Sequence, residues 1–145
     1  MASQEIETLT SALSRLPGLG PRGPVIADLE GPGPLRIVAV HLGLLRAARR
    51  LQLDAIRTAL QRHPARPTVI LGDFNEYSRR VGLGRIAKPF VLVATGATFP
   101  SRRPFLPLDR IAHSADLEVA PIPGPVFAMP HASDHLPLLV ELRWL

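Results

Sequence analysis

Six polar side chains stand at the ends of, or inside, apolar runs of this chain, and their types suit chemistry at a phosphoryl group. Asp73 and Asn75 follow Thr68-Val69-Ile70-Leu71-Gly72, two residues apart. In an extended chain the side chains at i and i+2 share a face, so a carboxylate and a carboxamide come together at the end of what reads as a buried strand. Such a pair suits a cation or a phosphoryl oxygen; the competing reading is an Asx turn that closes the strand. His41 ends a second apolar run, Asp109 lies within Leu108-Asp109-Arg110-Ile111-Ala112, and Asp134-His135 precede a third. Asp109 is placed to accept an imidazole N–H of His135 and fix its tautomer. Asp134 and His135, neighbours in a loop or strand start, point different ways, so one can face a hard cation while the other faces substrate. His131, four residues before His135, invites a helical zinc pair, but Pro130 and Pro137 bracket the segment and disfavour a helix there.

Those residues need a frame. Residues 25–29 and 35–42 read as two strands joined by the turn Glu30-Gly31-Pro32-Gly33-Pro34. Residues 44–63 read as a helix, with Leu44, Ala48, Leu51, Ala55 and Ala59 as its apolar stripe and Arg46, Arg49, Arg50 and Arg57 mostly elsewhere. Pro64 and Pro67 end it, and a strand over 68–71 follows. Strand, helix, strand with short joints is a crossover unit, which makes the two strands parallel and brings their carboxyl ends to one rim. His41, Asp73 and Asn75 are therefore expected to meet there, where open α/β sheets bind ligands. Further strands are expected over 90–93, 108–112, 117–122 and 138–144, with a rigid turn over 98–104 and a polar loop or short helix over 77–88. Residues 1–24 are the least decided: 5–16 reads as helix or strand, followed by a proline-rich break. Gly18, Gly20 and Gly23 match a phosphate-loop spacing, but Pro17, Pro21 and Pro24 remove N–H groups such a cradle needs, so this stretch is a linker or surface turn.

The whole is the size of one domain: 145 residues, 46% hydrophobic and 20% charged, a globular balance. No apolar run reaches the roughly 20 residues of a membrane span, and Met1-Ala2-Ser3-Gln4-Glu5 is not the start of a signal peptide. With no cysteine there is no disulfide frame or thiolate metal site, and a cytoplasmic location is expected. The net charge of +5 is carried almost wholly by arginine, Lys88 being the single lysine. Arginine favours phosphate and carboxylate partners, although arginine-rich composition also arises without any partner.

Taken together, Val40-His41-Leu42-Gly43-Leu44, Arg50 and Gln52 on the helix, Leu71-Gly72-Asp73-Phe74-Asn75-Glu76, Thr98-Phe99-Pro100-Ser101, Leu108-Asp109-Arg110-Ile111 and Ser133-Asp134-His135-Leu136-Pro137 resemble the endonuclease/exonuclease/phosphatase superfamily. The look is that of its small bacterial members. The resemblance implies an α/β (α+β) fold, part of a four-layer β-sandwich flanked by helices, and a divalent-metal-dependent hydrolase of phosphoesters, either a phosphodiesterase or nuclease or a phosphatase. His135 would be the general base or the charged phosphate contact, oriented by Asp109. Asp73 would position or deprotonate water, Asn75 and His41 would hold phosphoryl oxygens, and Asp134 would ligate magnesium, or manganese in its place. Arg102 and Arg103 would approach the anionic substrate, whether nucleic acid, a phosphorylated small molecule or a lipid headgroup. The chain departs from the family at its start: the upstream Asn and Gln-Glu metal ligands have no counterpart, Glu5 being a remote candidate and Asn75 the single asparagine. An incomplete domain, lacking its N-terminal half, is expected to leave a sheet uncovered, which a second copy could cover in a homodimer. A catalytically weakened remnant that binds nucleic acid or another polyanion is the alternative function.

Overall fold

A computed structural model describes residues 5–8, 24–78, 88–122 and 132–145, the first four as backbone. The β-branched and aliphatic runs pair into a six-stranded mixed sheet. It contains β1 (Glu5–Thr8), β2 (Val25–Glu30), β3 (Pro34–His41), β4 (Thr68–Asp73), β5 (Val91–Leu92) and β6 (Asp109–His113), in the spatial order β1-β2-β3-β4-β6-β5. Only β3 and β4 run parallel, and α1 (Arg46–Arg62) crosses between them as the sequence pattern requires. The turn at 31–33 makes β2 and β3 an antiparallel hairpin. A second, two-stranded sheet pairs β7 (Leu117–Pro121) with β8 (Val140–Trp144).

Alternation along the strands feeds two cores. Ile26, Val38, Val40, Ile70, Phe74 and Ala112 face α1, whose Leu53, Ile56 and Ala59 close that layer. Leu35, Val69, Ile111 and Leu117 lie in the other core, where Val119, Val140 and Leu142 of β7 and β8 pack. The result is an α/β sandwich: helix, large sheet, small sheet. Trp144 ties the two sheets directly, its indole Nε1–H donating to the Pro34 carbonyl at 3.1 Å while its ring lies 3.0 Å from where a Cβ on Gly33 would be.

Several expectations shift. The helix starts at Arg46, and its buried face is Ala48, Arg49, Gln52, Leu53, Ile56 and Ala59, while Leu44 and Leu51 are exposed. Of the expected stripe Ala48 and Ala59 are buried, while Arg49 and Gln52 take inward positions that an apolar count passes over. The strand expected over 90–93 is the two-residue β5, and the closing strand begins at Val140. Most of the undecided start, most of the 77–88 segment, and His131 with Pro130 fall outside the described residues.

Candidate functional site

Strand register builds the site. His41 lies opposite Asp73 across β3 and β4, and Asp73 lies opposite Asp109 across β4 and β6. Three ionisable side chains therefore form one row across three adjacent strands, and period-two alternation puts them on one face. The parallel crossover is what brings the first two together, since it sets the ends of β3 and β4 level. Glycine makes the approach possible at the row's edge. Gly72 has φ +132°, and a Cβ there would lie 2.0 Å from the Val40 carbonyl oxygen. That conformation is open to glycine and rarely to any L side chain.

Two like charges opposed across a strand pair repel, and an imidazole offsets them. His135, carried on the segment before β8, has Nδ1 2.7 Å from Asp109 Oδ2 and Nε2 4.0 Å from Asp73 Oδ2. His41 Nε2 approaches the same Asp73 oxygen at 3.5 Å from a half-exposed position. The Phe99 ring flanks His135 with 4.9 Å between ring centroids. Partial burial alone would lower the His135 pKa, but the hydrogen bond and charge of Asp109, with the charges of Asp73 and Asp134, outweigh it and hold the imidazole above its ordinary value.

Asp73 closes its strand with the Asx turn and keeps one oxygen for the row. Its Oδ1 accepts the Asn75 backbone N–H at 2.7 Å, an Asx turn, while Oδ2 faces the two histidines. Asn75 differs from expectation. At φ 48° it leaves the extended conformation, so it does not stand beside Asp73 on a strand face. Asparagine tolerates that left-handed geometry better than most residues. Its Nδ2 donates to the Leu42 carbonyl at 2.7 Å, which stitches the turn after β4 to the loop after β3.

Behind that stitch is a layer of polar residues from α1. Gln52 Oε1 accepts the Gly43 N–H at 2.8 Å, and Arg49 donates to the Gly43 and Leu44 carbonyls and to Glu76 Oε2 at 2.7 Å. Burial would raise the Glu76 pKa, yet the Ser78 N–H and the Arg49 guanidinium keep its carboxyl below the usual range. Arg110, fully buried, reaches the Glu76 and Tyr77 carbonyls. Arg50, which the sequence analysis grouped with Gln52, is exposed, and Arg49 is the arginine that stands beside Gln52 on the buried face. The signal was there: Arg49 is three residues before Gln52, and i,i+3 positions share a helix face.

Asp134, Arg102 and Arg103 lie apart from the row. With Pro100, Ser101, Ala132 and Ser133 they line a groove of about 680 Å³ along the His135 segment. Ser101 fixes that groove, its N–H donating to the Asp134 carbonyl and its Oγ to the Ser133 carbonyl, each at 2.7 Å. Glu5, paired in register with Asp28, is far from the row: Asp28 opposes Arg36, five residues before His41, or roughly 16 Å along a strand. Among the described residues no group of three or more His, Asp or Glu is arranged to hold a metal ion. Asp134 has no companion carboxylate among the described residues of the groove lining.

Comparison with known proteins adds to this geometry. The profile of the Endonuclease/Exonuclease/phosphatase family matches residues 8–135. The chain is 31% identical over 117 residues to the uncharacterized protein YbhP of Escherichia coli (strain K12), covering 75% of this chain and 46% of that one. It thus spans about half the length of the curated relatives it matches. Among solved structures, a mannosyl-6-phosphatase from Bacteroides thetaiotaomicron VPI-5482 superposes with a TM-score of 0.71 at 16% identity, over 98% of this chain and 66% of that one. The human Nocturnin catalytic domain, with a bound sulfate anion, does so with a TM-score of 0.67 at 18% identity, over 99% and 59%. At such identities the likeness is one of fold.

Proposed function

The chain belongs to the Endonuclease/Exonuclease/phosphatase family, and on that premise we propose that it hydrolyses a phosphoester by attack of water at phosphorus. The observation that carries the reading is the row His41, Asp73, Asp109 capped by His135.

In this reading Asp109 accepts the Nδ1–H of His135 and so presents Nε2 toward the substrate. Nε2 either takes a proton from the attacking water or, protonated, donates to a phosphoryl oxygen. Asp73 Oδ2, between the two imidazoles, orients the water for in-line attack, and His41 donates to a second phosphoryl oxygen. Asn75 acts on the frame of the site, through Leu42. A magnesium or manganese requirement is part of the proposal on family grounds alone. The ion would supply charge neutralisation, with Asp134 offered as one ligand; no step here is routed through it.

The test is turnover of bis(p-nitrophenyl) phosphate by the purified chain, with magnesium, with manganese and with chelator. Activity that is lost in both His135→Ala and Asp73→Ala supports the proposal. Turnover insensitive to both substitutions, or none under any of these conditions, overturns it. Salt-sensitive binding of nucleic acid without turnover would instead favour a polyanion-binding remnant.

A further inference from the structure

The rim that carries His41 presents large apolar side chains to solvent. Leu44, Leu45 and Tyr77 are 76%, 64% and 69% exposed, and the His41 side chain between them and the row is half-exposed. The backbone beneath them is held rather than loose. The Leu42 N–H donates to the Asp73 carbonyl at 2.8 Å, and the Gly43 N–H to Gln52 Oε1 at 2.8 Å. One guanidinium, that of Arg49, donates both to the Leu44 carbonyl and to Glu76 Oε2, while Arg110 donates to the Tyr77 carbonyl at 3.1 Å. Buried polar residues thus hold the backbone that sets three apolar side chains in water, an unfavourable exposure that a covering partner would relieve. Arg46 and Arg50 stand beside them, one turn apart on α1 and both exposed. Among the described residues neither guanidinium has a carboxylate within ion-pair distance, and the first turn of α1 holds no acidic residue.

A fixed apolar tip flanked by unpaired cations is the pattern of an element that seats in a lipid interface. Leucine enters below the headgroups, arginine lies among them, and tyrosine takes the boundary. We propose that this rim docks on an anionic bilayer surface. Charge selects that occupant over a second copy, because a two-fold contact centred on the patch would set Arg46 and Arg50 against their own counterparts. Nucleic acid would meet the arginines and leave the leucines in water. Docking turns His41, three residues before Leu44, toward the membrane. It involves no catalytic step and is measured apart from the hydrolase reading.

The experiment is sedimentation of the full chain with vesicles of phosphatidylcholine alone and with vesicles in which about one-third of the lipid is phosphatidylglycerol. The anionic vesicles bind about tenfold or more tightly, and raising the salt narrows that difference. L44S/L45S weakens binding to them about tenfold or more, and R46Q/R50Q brings the two vesicle types to about equal affinity. All four positions are exposed, and far-UV circular dichroism checks that each variant is folded. L145S is the control. Leu145 is 82% exposed, but it follows Trp144, which bonds to Pro34 at the end of β3 opposite His41, so its loss leaves binding unchanged. Failure to bind anionic vesicles, or equal binding to both kinds, overturns the proposal. So does binding that L44S/L45S leaves intact, which would reduce it to adsorption by charge, or a loss in L145S as large as in L44S/L45S. Self-association in solution that L44S/L45S abolishes would give the patch to a second copy and overturn it as well.

Discussion

In the proposed mechanism a single carboxylate decides how His135 is used. Asp109 meets Nδ1 at 2.7 Å, and on that reading turns Nε2 toward the substrate. Asp109→Asn preserves shape but replaces an acceptor with an amide, so the tautomer and orientation are no longer imposed. Turnover of the phosphodiester should fall by on the order of a hundredfold in kcat, with a smaller change in KM. Steady-state kinetics of the variant check this, and an unchanged kcat would remove Asp109 from the site. At this scale much was legible. The structure brings His41, Asp73, Asp109 and His135 together, the first three by strand register and His135 by its hydrogen bond to Asp109. Asn75 was misplaced because period-two reasoning assumes the strand continues, whereas the chain turns left-handed there. The competing Asx-turn reading of the same motif is the one that anticipates the turn. Asp134 and the two arginines sit in the adjoining groove, a separation that sequence spacing does not encode.

At the scale of elements, β4 is the strand on which the others converge, pairing with β3 on one side and β6 on the other. Its weak point is Gly72, where the chain must pass the Val40 carbonyl. Gly72→Ala combines a forbidding φ with a backbone clash at 2.0 Å and should cost about 3 kcal/mol or more. Gly96→Ala, with nothing within 4 Å of the new methyl, should stay within about 0.5 kcal/mol. Urea denaturation of both variants separates them; equal midpoints would contradict the close approach. The crossover unit was readable because helical and strand periods differ and prolines mark its joints. The helix face was read in part, Ala48 and Ala59 being buried as expected, because buried Arg49 and Gln52 look like surface residues in a hydropathy pattern. Their burial makes sense only once the partners are known: Gly43, Leu44 and Glu76, brought close by the fold.

For the molecule as a whole, the two poles of the large sheet divide the work. The rim at the ends of β3 and β4 holds the site. Near their beginnings Arg36 donates bidentately to Asp28, both contacts at 2.7 Å, with Arg66 nearby. That hydrogen-bonded pair, working against partial burial, draws the Asp28 pKa below the usual carboxylate range. Glu76 is shifted the same way. A depressed folded pKa gives stability that is fully present above the unfolded value of about 4 and is lost as pH falls through the folded one. The denaturation midpoint should therefore drop on acidification below about pH 4. Asp28→Asn should flatten part of that acid limb while costing about 3 kcal/mol at neutral pH, since it strands the buried Arg36. Matching acid limbs in wild type and variant would refute the assignment. What the sequence could not show at this scale was the split into six strands and two. Strand lengths and turns mark where strands are, but which sheet each joins depends on contacts between distant segments.

Trp144 is the single tryptophan of the chain, and its indole spans from β8 to Pro34 of the large sheet. Fluorescence excited at the indole band therefore reports from one place, the seam where the sheets touch. A red shift with rising denaturant would time the parting of those layers, while a probe at the His135 rim would follow the pocket. Two curves that fail to coincide would reveal that the protein opens at its seam and its rim in separate events.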